Sequence, residues 1–338
     1  MLKLSVLDQS TAATGISEAQ AIRDTIALAA YCEELGYQRF WVSEHHNHPT
    51  IVGTAPEIVM AAIAQSTTRI RIGSAGIMLP HYAPLKVAEQ FRVLDALAPG
   101  RIDLGLGRAP GSDGKTAYAL NPNAAIDAER FPANVSDLIA WISGQPLPVG
   151  HPHQGLVAKP QSETMPEIWM LGTSDYGAQV AAHFGIPYCF AHFITDGQGV
   201  ERAFQIYREN YKPSEQFPKP IANVCVWALA AETEAEAERL FSSRAHWKVL
   251  REKGDLRAIE PPETAAAYAY TDADRRRLEA LRANAIIGSG AEVYNKLGNL
   301  ADALDIDEVV VLSWTHDQAD RRNSYKLLAE QMNAKGGN

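Results

Sequence analysis

Cysteine is scarce: Cys32, Cys189 and Cys225 are the only three in 338 residues, far apart and each inside an apolar stretch. That excludes a disulfide framework and any paired-cysteine zinc spacing, and predicts reduced core thiols. Long apolar runs are missing too. No uncharged stretch approaches the ~20 residues a bilayer span needs, and the apolar run at the N-terminus is too short for a secretory leader. A cytoplasmic protein without a membrane partner is therefore expected. Positive charge is not in excess: the formal charge is −9, and Arg275-Arg276-Arg277 sits among Asp272, Asp274 and Glu279. That run reads as a solvated helix face and offers no basic surface to nucleic acid. Finally, no Gly-x-Gly-x-x-Gly turn follows the first predicted strand, which counts against an open dinucleotide-binding sheet.

What is present is alternation. With 46% hydrophobic and 21% charged residues the chain reads as globular, and short β-type runs alternate with longer amphipathic ones, the order that parallel strands joined by helical crossovers require. Strands are predicted at residues 2–7, 39–43, 70–75, 102–107, 168–171, 187–190, 222–230 and 308–312. Helices are predicted from 17 to the Gly36 stop, at 56–65, 84–97, 123–142 and 175–184, from 233 onward, and at 318–332. Ser17 with Gln20 forms a capping-box pattern. Residues 143–166 read as an irregular excursion. Residues 252–287, charged and alanine-rich, are too long for a plain loop and read as inserted helices forming a lid. About eight strand-helix units close a barrel, so the expectation is one domain over 1–338: a (β/α)₈ TIM barrel with insertions at its C-terminal face.

In such a barrel the chemistry sits where the strands end. Those ends read Asp8-Gln9, Glu44-His45-His46, Ser74-Ala75-Gly76, Arg108, Gly172-Thr173-Ser174, His192 and Ser313-Trp314. The turn Gly172-Thr173-Ser174-Asp175-Tyr176-Gly177 hands a strand to a helix N-terminus, whose free amides and dipole favour a phosphate; read blandly, Ser174 merely caps that helix. Arg108, with its bidentate guanidinium, adds a second anion ligand, and Gly105 and Gly107 beside it leave room for a flat ring; read blandly, Arg108 is a surface ion-pair residue. The run Glu44-His45-His46-Asn47-His48 suggests zinc, but no second cluster completes a ligand set, so no metal is assigned. A structural histidine pair, or Glu44 orienting His45 for proton transfer, are the other readings. His81, His151 and His153 read as solvent-facing, and among the tryptophans Trp314 is the one placed to touch a ligand.

Glu44-His45-His46, the segment from Gly73 to Pro80, Ala88-Glu89-Gln90 through Leu94-Asp95 to Gly100-Arg101, Gly105-Leu106-Gly107-Arg108 and the Gly172-Thr173-Ser174 turn together resemble the luciferase-like flavin monooxygenases. The resemblance spans nearly the whole chain and is nearest to single-gene members with a Ser-Glu-His-His segment and a Gly-Arg-Ala-Pro-Gly turn. It implies a barrel that binds FMN, used as FMNH₂ with O₂ on a small organic substrate, often a homodimer supplied by a separate flavin reductase. By the same resemblance His45 matches the histidine that supports the flavin-oxygen intermediate, with Glu44 beside it. Ser74-Ala75 matches an unusual cis peptide under the flavin ring, and Arg108, Leu171, Gly172, Thr173, Ser174 and Gly177 match positions around the phosphate. Gly107 stands where the light-emitting subunit carries a reactive cysteine, so light emission is not implied. A flavin- or deazaflavin-dependent dehydrogenase on the same barrel, a non-catalytic FMN-binding protein and a metal hydrolase are the competing readings.

Overall fold

The computed structural model describes residues 2–336. Eight parallel strands close a barrel: β1 (Lys3–Asp8), β2 (Arg39–Val42), β3 (Arg71–Met78), β4 (Ile102–Gly107), β5 (Glu167–Gly172), β6 (Tyr188–Phe190), β7 (Ala222–Ala231) and β9 (Glu308–Leu312), with β6 pairing β7 to shut the ring. A short additional strand, β8 (Ile286–Ser289), pairs only with the last four residues of β7. It was not foreseen, because four residues inside a charged stretch carry no periodic signal. All pairs are parallel, so each crossover brings the chain back over the outside, chiefly through α1 (Glu18–Leu35), α2 (Pro56–Ser66), α3 (Pro84–Leu97), α6 (Phe131–Ser143), α7 (Asp175–Phe184), α9 (Val200–Glu209), α13 (Gly290–Leu304) and α14 (Gln318–Gly336).

Period-2 alternation divides the strand side chains into two sets. Leu4, Val6, Phe40, Ile72, Leu104 and Val309 face outward and are fully buried beneath the helices. Leu7, Trp41, Trp169, Cys189, Cys225 and Val310 fill the interior, all three cysteines of the chain being free and buried. The N-terminal end is plugged by charge: Arg39 pairs with Asp103 (2.9 Å), Glu167 (3.1 Å) and Glu308 (3.1 Å), Arg71 pairs with Asp103 (2.6 Å), and Trp41 Nε1 donates to Asp103 (2.9 Å). The opposite end is therefore the one that can receive a ligand.

Several local expectations shift. Ser17 caps α1 by accepting from the Gln20 amide (3.2 Å), but the Gln20 side chain turns forward to Asp24 (2.8 Å), so only half of the capping box forms. The helix expected at 123–142 is broken at Arg130, one residue into which Pro132 enters the first turn of α6, leaving α5 (Ala124–Glu129) separate; α4 (Gly114–Leu120) occupies the preceding loop. Between β6 and β7 the chain forms α8 (His192–Thr195) and the strongly amphipathic α9, which sequence reading passed over. The 252–287 excursion does contain helices, α11 (Pro262–Ala267) and α12 (Asp272–Ala283), following α10 (Glu234–Glu252), although its last two residues already belong to β8. This layer covers the barrel mouth. Ile259 exchanges backbone hydrogen bonds with Ala12 and Thr14 (2.9 Å each), and Trp247 of α10 donates to Thr50 Oγ1 (2.8 Å).

Candidate flavin site at the barrel mouth

The strand ends supply the site, and alternation decides which of their side chains face it. Asp8 turns outward, where Arg321 of α14 (2.7 Å), Thr25 of α1 (2.7 Å) and the Ser10 amide (2.8 Å) hold it; it is structural, not a rim group. Gln9, next along, faces inward, and its Oε1 is buried without a partner.

Glu44 is wholly buried and its acceptor positions are taken: the Met78 amide donates to Oε2 (2.9 Å), while Tyr82 Oη (2.7 Å) and His46 Nε2 (2.8 Å) lie on Oε1. Burial, then the adjacent carboxylate, holds the Tyr82 phenol well above its usual range. The expected pairing of Glu44 with His45 does not occur; the carboxylate takes His46 instead, two residues on and on its own side of the extended chain. Glu44 thus ties the loop after β2 to the end of β3. His45 is oriented by its backbone, whose amide donates to Gly53 (3.0 Å), and by the His48 ring at 6.0 Å. Its Nδ1 is buried with no partner among the described residues. Burial first, then the neighbouring His48, His46 and Arg251, lowers its pKa to about 4, so the imidazole is neutral at pH 7. The histidines gather no ligand set: among the described residues no group of three or more His, Cys, Asp or Glu could hold a metal ion.

Ser74 is spent on the barrel wall. Its hydroxyl donates to the Gly105 carbonyl (3.0 Å) and accepts from the Gly105 amide (3.1 Å). The cis peptide lies one bond further on than expected, at Ala75–Gly76, where the β3–β4 register slips between Ser74 and Ile77. Gly76 sits under Leu171, whose Cδ1 would be 2.6 Å from a Cβ there. Gly105 was expected to leave space for a ligand; the space is filled, since a Cβ would lie 2.1 Å from the Ser74 carbonyl oxygen. It lets two strands approach.

At the other wall, the β5–α7 turn presents an open helix end. Ser174 is the N-cap residue in extended conformation but makes no side-chain cap, so its bland reading fails and the first amides of α7 keep no side-chain acceptor. Asp175, the charge that would oppose an anion there, is drawn to Arg202 (2.7 Å). Gly172 and Gly177 pack strand against helix at ordinary contact distance, above the unpartnered hydroxyl of buried Tyr188. Arg108 is exposed and, among the described residues, in no ion pair; its guanidinium carbon lies 3.9 Å from the centre of the Tyr176 ring on the first turn of α7. The arginine and the helix end therefore sit together. Tyr176 was not singled out from the sequence, though its place two residues after the N-cap was the available signal. The loop carrying Arg108 also meets the histidine loop, His46 N donating to the Gly111 carbonyl (3.3 Å).

The remaining strand ends divide similarly. Ser313 is consumed by the Ala228 carbonyl and the Tyr325 hydroxyl. Trp314 faces the mouth, stacked edge-on to Trp247 at 4.8 Å with its Nε1 buried and unpartnered, and Trp227, not anticipated, has an unpartnered Nε1 as well. His81 and His151 are not solvent-facing loop residues: His81 is buried against the Pro110 carbonyl (2.8 Å), and His151 lies 3.3 Å from Asp137. His153 is exposed as expected.

The luciferase-like monooxygenase family profile matches residues 2–305. Among individual proteins, the chain is 36% identical to a luciferase-like monooxygenase of Escherichia coli (strain K12), over 97% of this chain and 96% of that one. It is 35% identical to N-acetyl-S-alkylcysteine monooxygenase of Bacillus subtilis (strain 168), over 98% of each. The crystal structure of apo-MsnO8 superposes with a TM-score of 0.89 at 35% identity, covering 98% of this chain and 99% of that one. More distant structures share the fold alone: the FMN-bound oxygenating constituent of 3,6-diketocamphane monooxygenase (TM-score 0.72, 19% identity) and an F420-dependent secondary alcohol dehydrogenase (0.63, 14%). The chain thus belongs to the luciferase-like monooxygenase family and is an oxidoreductase.

Proposed function

We propose that this protein is an FMN-dependent monooxygenase that uses FMNH₂ and O₂ on a small organic substrate, with reduced flavin delivered by a separate reductase in the cytoplasm. The observation that carries the reading is the uncapped N-terminus of α7 with the Arg108 guanidinium, in no ion pair among the described residues, stacked on its first turn, a paired dipole and fork suited to a phosphate dianion. The unpartnered Nδ1 of His45 and the indole nitrogens of Trp227 and Trp314 are buried polar atoms that a bound ligand would satisfy, and relatives named as monooxygenases span the full chain. The residues present fit FMN.

Bound reduced FMN supplies the electrons that activate O₂, one oxygen atom going to the substrate and the other to water. The chain's part is positional. Arg108 and the amides of Asp175, Tyr176 and Gly177 hold the phosphate, with Gly172, Thr173 and Ser174 shaping the turn. Leu171 over Gly76, with Ser74 and Ala75 in the wall behind, sets the floor for the ring. His45, neutral at pH 7, takes or returns a proton at Nδ1, and Glu44 holds the loop that carries it. The α10–α12 layer excludes water from the mouth and acts as a lid.

Titration of the purified protein with FMN and with riboflavin tests the phosphate assignment. Arg108→Ala is expected to weaken FMN binding at least tenfold, about 1.4 kcal/mol, while changing riboflavin binding less than twofold. Equal losses for the two ligands would remove Arg108 and α7 from the phosphate.

A further inference from the structure

A second cation lies at the barrel mouth outside the proposed phosphate site. Arg244 of α10 is only 8% exposed, yet among the described residues it forms neither a hydrogen bond nor an ion pair. Its guanidinium carbon sits 4.2 Å from the centre of the Trp227 ring, on the inner face of β7. The carboxylate that could neutralise it, Asp196, is taken by Lys248 at 2.8 Å, and the nearby Arg277 is matched by Glu252. Two cations and one anion therefore share this corner, leaving one positive charge unbalanced. Its donors find no partner among the described residues but are not wholly sealed from solvent, and burial pushes this guanidinium down to about 9.

The guanidinium borders a hollow of ≈ 20 Å³ walled by Phe193, Trp227, Leu281 and Ile286, with His192, Asn284 and the Lys248-paired Asp196 at its polar edge. That admits about one water-sized group, such as a single carboxylate oxygen, with the rest of the acid lying outside it against the outer edges of Trp227 and Phe193. The hollow belongs to the mouth already described: β6 leads into it, and Ala191 N donates to the Gly172 carbonyl (2.9 Å) in the β5–α7 turn. Its remaining wall comes from α12 and the start of β8, within the layer that covers the mouth.

We propose that Arg244 is the anchor for the carboxylate of an organic acid substrate whose apolar chain lies along Trp227 and Phe193 toward the barrel axis. A planar carboxylate matches the guanidinium fork and supplies the missing negative charge. This rests on the monooxygenase reading for the meaning of the site as a substrate pocket, but the carboxylate contact can be measured without turnover.

The test uses the full-length protein, with and without oxidised FMN, and the isosteric pair hexanoate and hexanamide, followed by tryptophan fluorescence with Trp227 as the adjacent reporter. Wild type is expected to bind hexanoate at least tenfold more tightly than hexanamide. Arg244→Met should abolish that preference, Arg244→Lys should retain part of it, and FMN affinity should stay within twofold in both. Equal binding of acid and amide by wild type overturns the proposal even if Arg244→Met does not fold, as does undiminished hexanoate preference in a folded Arg244→Met. Loss of FMN binding by wild type would instead count against the flavin reading and leave the acid–amide comparison to decide Arg244 on its own.

Discussion

His45 shows how much a single side chain's environment decides. Its sequence neighbourhood named the residue but paired it with the wrong partner: Glu44 binds His46, leaving His45 Nδ1 without a protein acceptor or donor. Adjacent residues in an extended chain face opposite ways, so adjacency in sequence argues against the contact, and only the loop geometry could reveal which imidazole the carboxylate takes. Because burial lowers the His45 pKa from 6.5 to about 4, the unfolded chain binds the proton that the folded one refuses throughout that window. The stabilisation from a neutral His45 is thus complete above about pH 6.5 and is lost as pH falls toward 4, amounting to roughly 2–3 kcal/mol for a shift of this size. Urea unfolding of wild type and His45→Gln at pH 7 and pH 4.5 should show the wild type losing more stability than the variant; parallel losses would mean that the imidazole is solvated. In turnover, His45→Gln should keep FMN affinity and lose substrate oxygenation while FMNH₂ oxidation continues, read as peroxide released per flavin oxidised.

At the scale of elements, legibility followed periodicity. The barrel strands and most of the long outer helices announced themselves because each repeats every two or every 3.6 residues against one buried face, although α13 (Gly290–Leu304), between the expected lid and the last strand, was not among the predicted helices. What escaped was short or masked by charge: β8, with four residues in a polar setting, α9, whose Arg-Glu-rich outer face hid the stripe Val200, Ala203, Phe204 and Tyr207, and the break at Arg130 before α6. The phosphate-type turn was legible as Gly-Thr-Ser before a helix, but that its serine leaves the helix uncapped is a matter of side-chain rotation that no spacing encodes. Gly105 illustrates the converse case, a residue noticed for one reason and required for another. Its missing side chain lets β4 close on Ser74 of β3, the hydroxyl of which bonds both its carbonyl and its amide. A methyl group 2.1 Å from a backbone oxygen cannot be relieved by a rotamer change. Gly105→Ala should therefore force the two strands apart and cost about 3 kcal/mol or more, measured as a fall in the denaturation midpoint. A change below about 0.5 kcal/mol would show that the wall yields freely.

For the molecule as a whole, the outer face of α2 and α3 carries exposed apolar side chains that neither the barrel core nor the mouth uses. Ile58 is 68% exposed, Val93 47% and Leu97 48%, along a groove of ≈ 490 Å³ rimmed by Glu57, Lys86 and Glu89. An apolar stripe edged by charges of both signs suits an isologous contact with a second copy of the same face. A homodimer was expected from the family resemblance alone, with no face assigned to it; the exposed stripe on α2 and α3 is the face this prediction tests. α2 follows β2 after the loop that carries Glu44, and α3 follows β3 after the short turn past Met78. Sedimentation of the wild type at micromolar concentration should therefore give twice the 36.9 kDa chain mass. Val93→Glu, which places a charge in the middle of the stripe, should give single chains with a lower melting temperature. A monomeric wild type, or an unaltered dimer in Val93→Glu, would remove this face from the assembly.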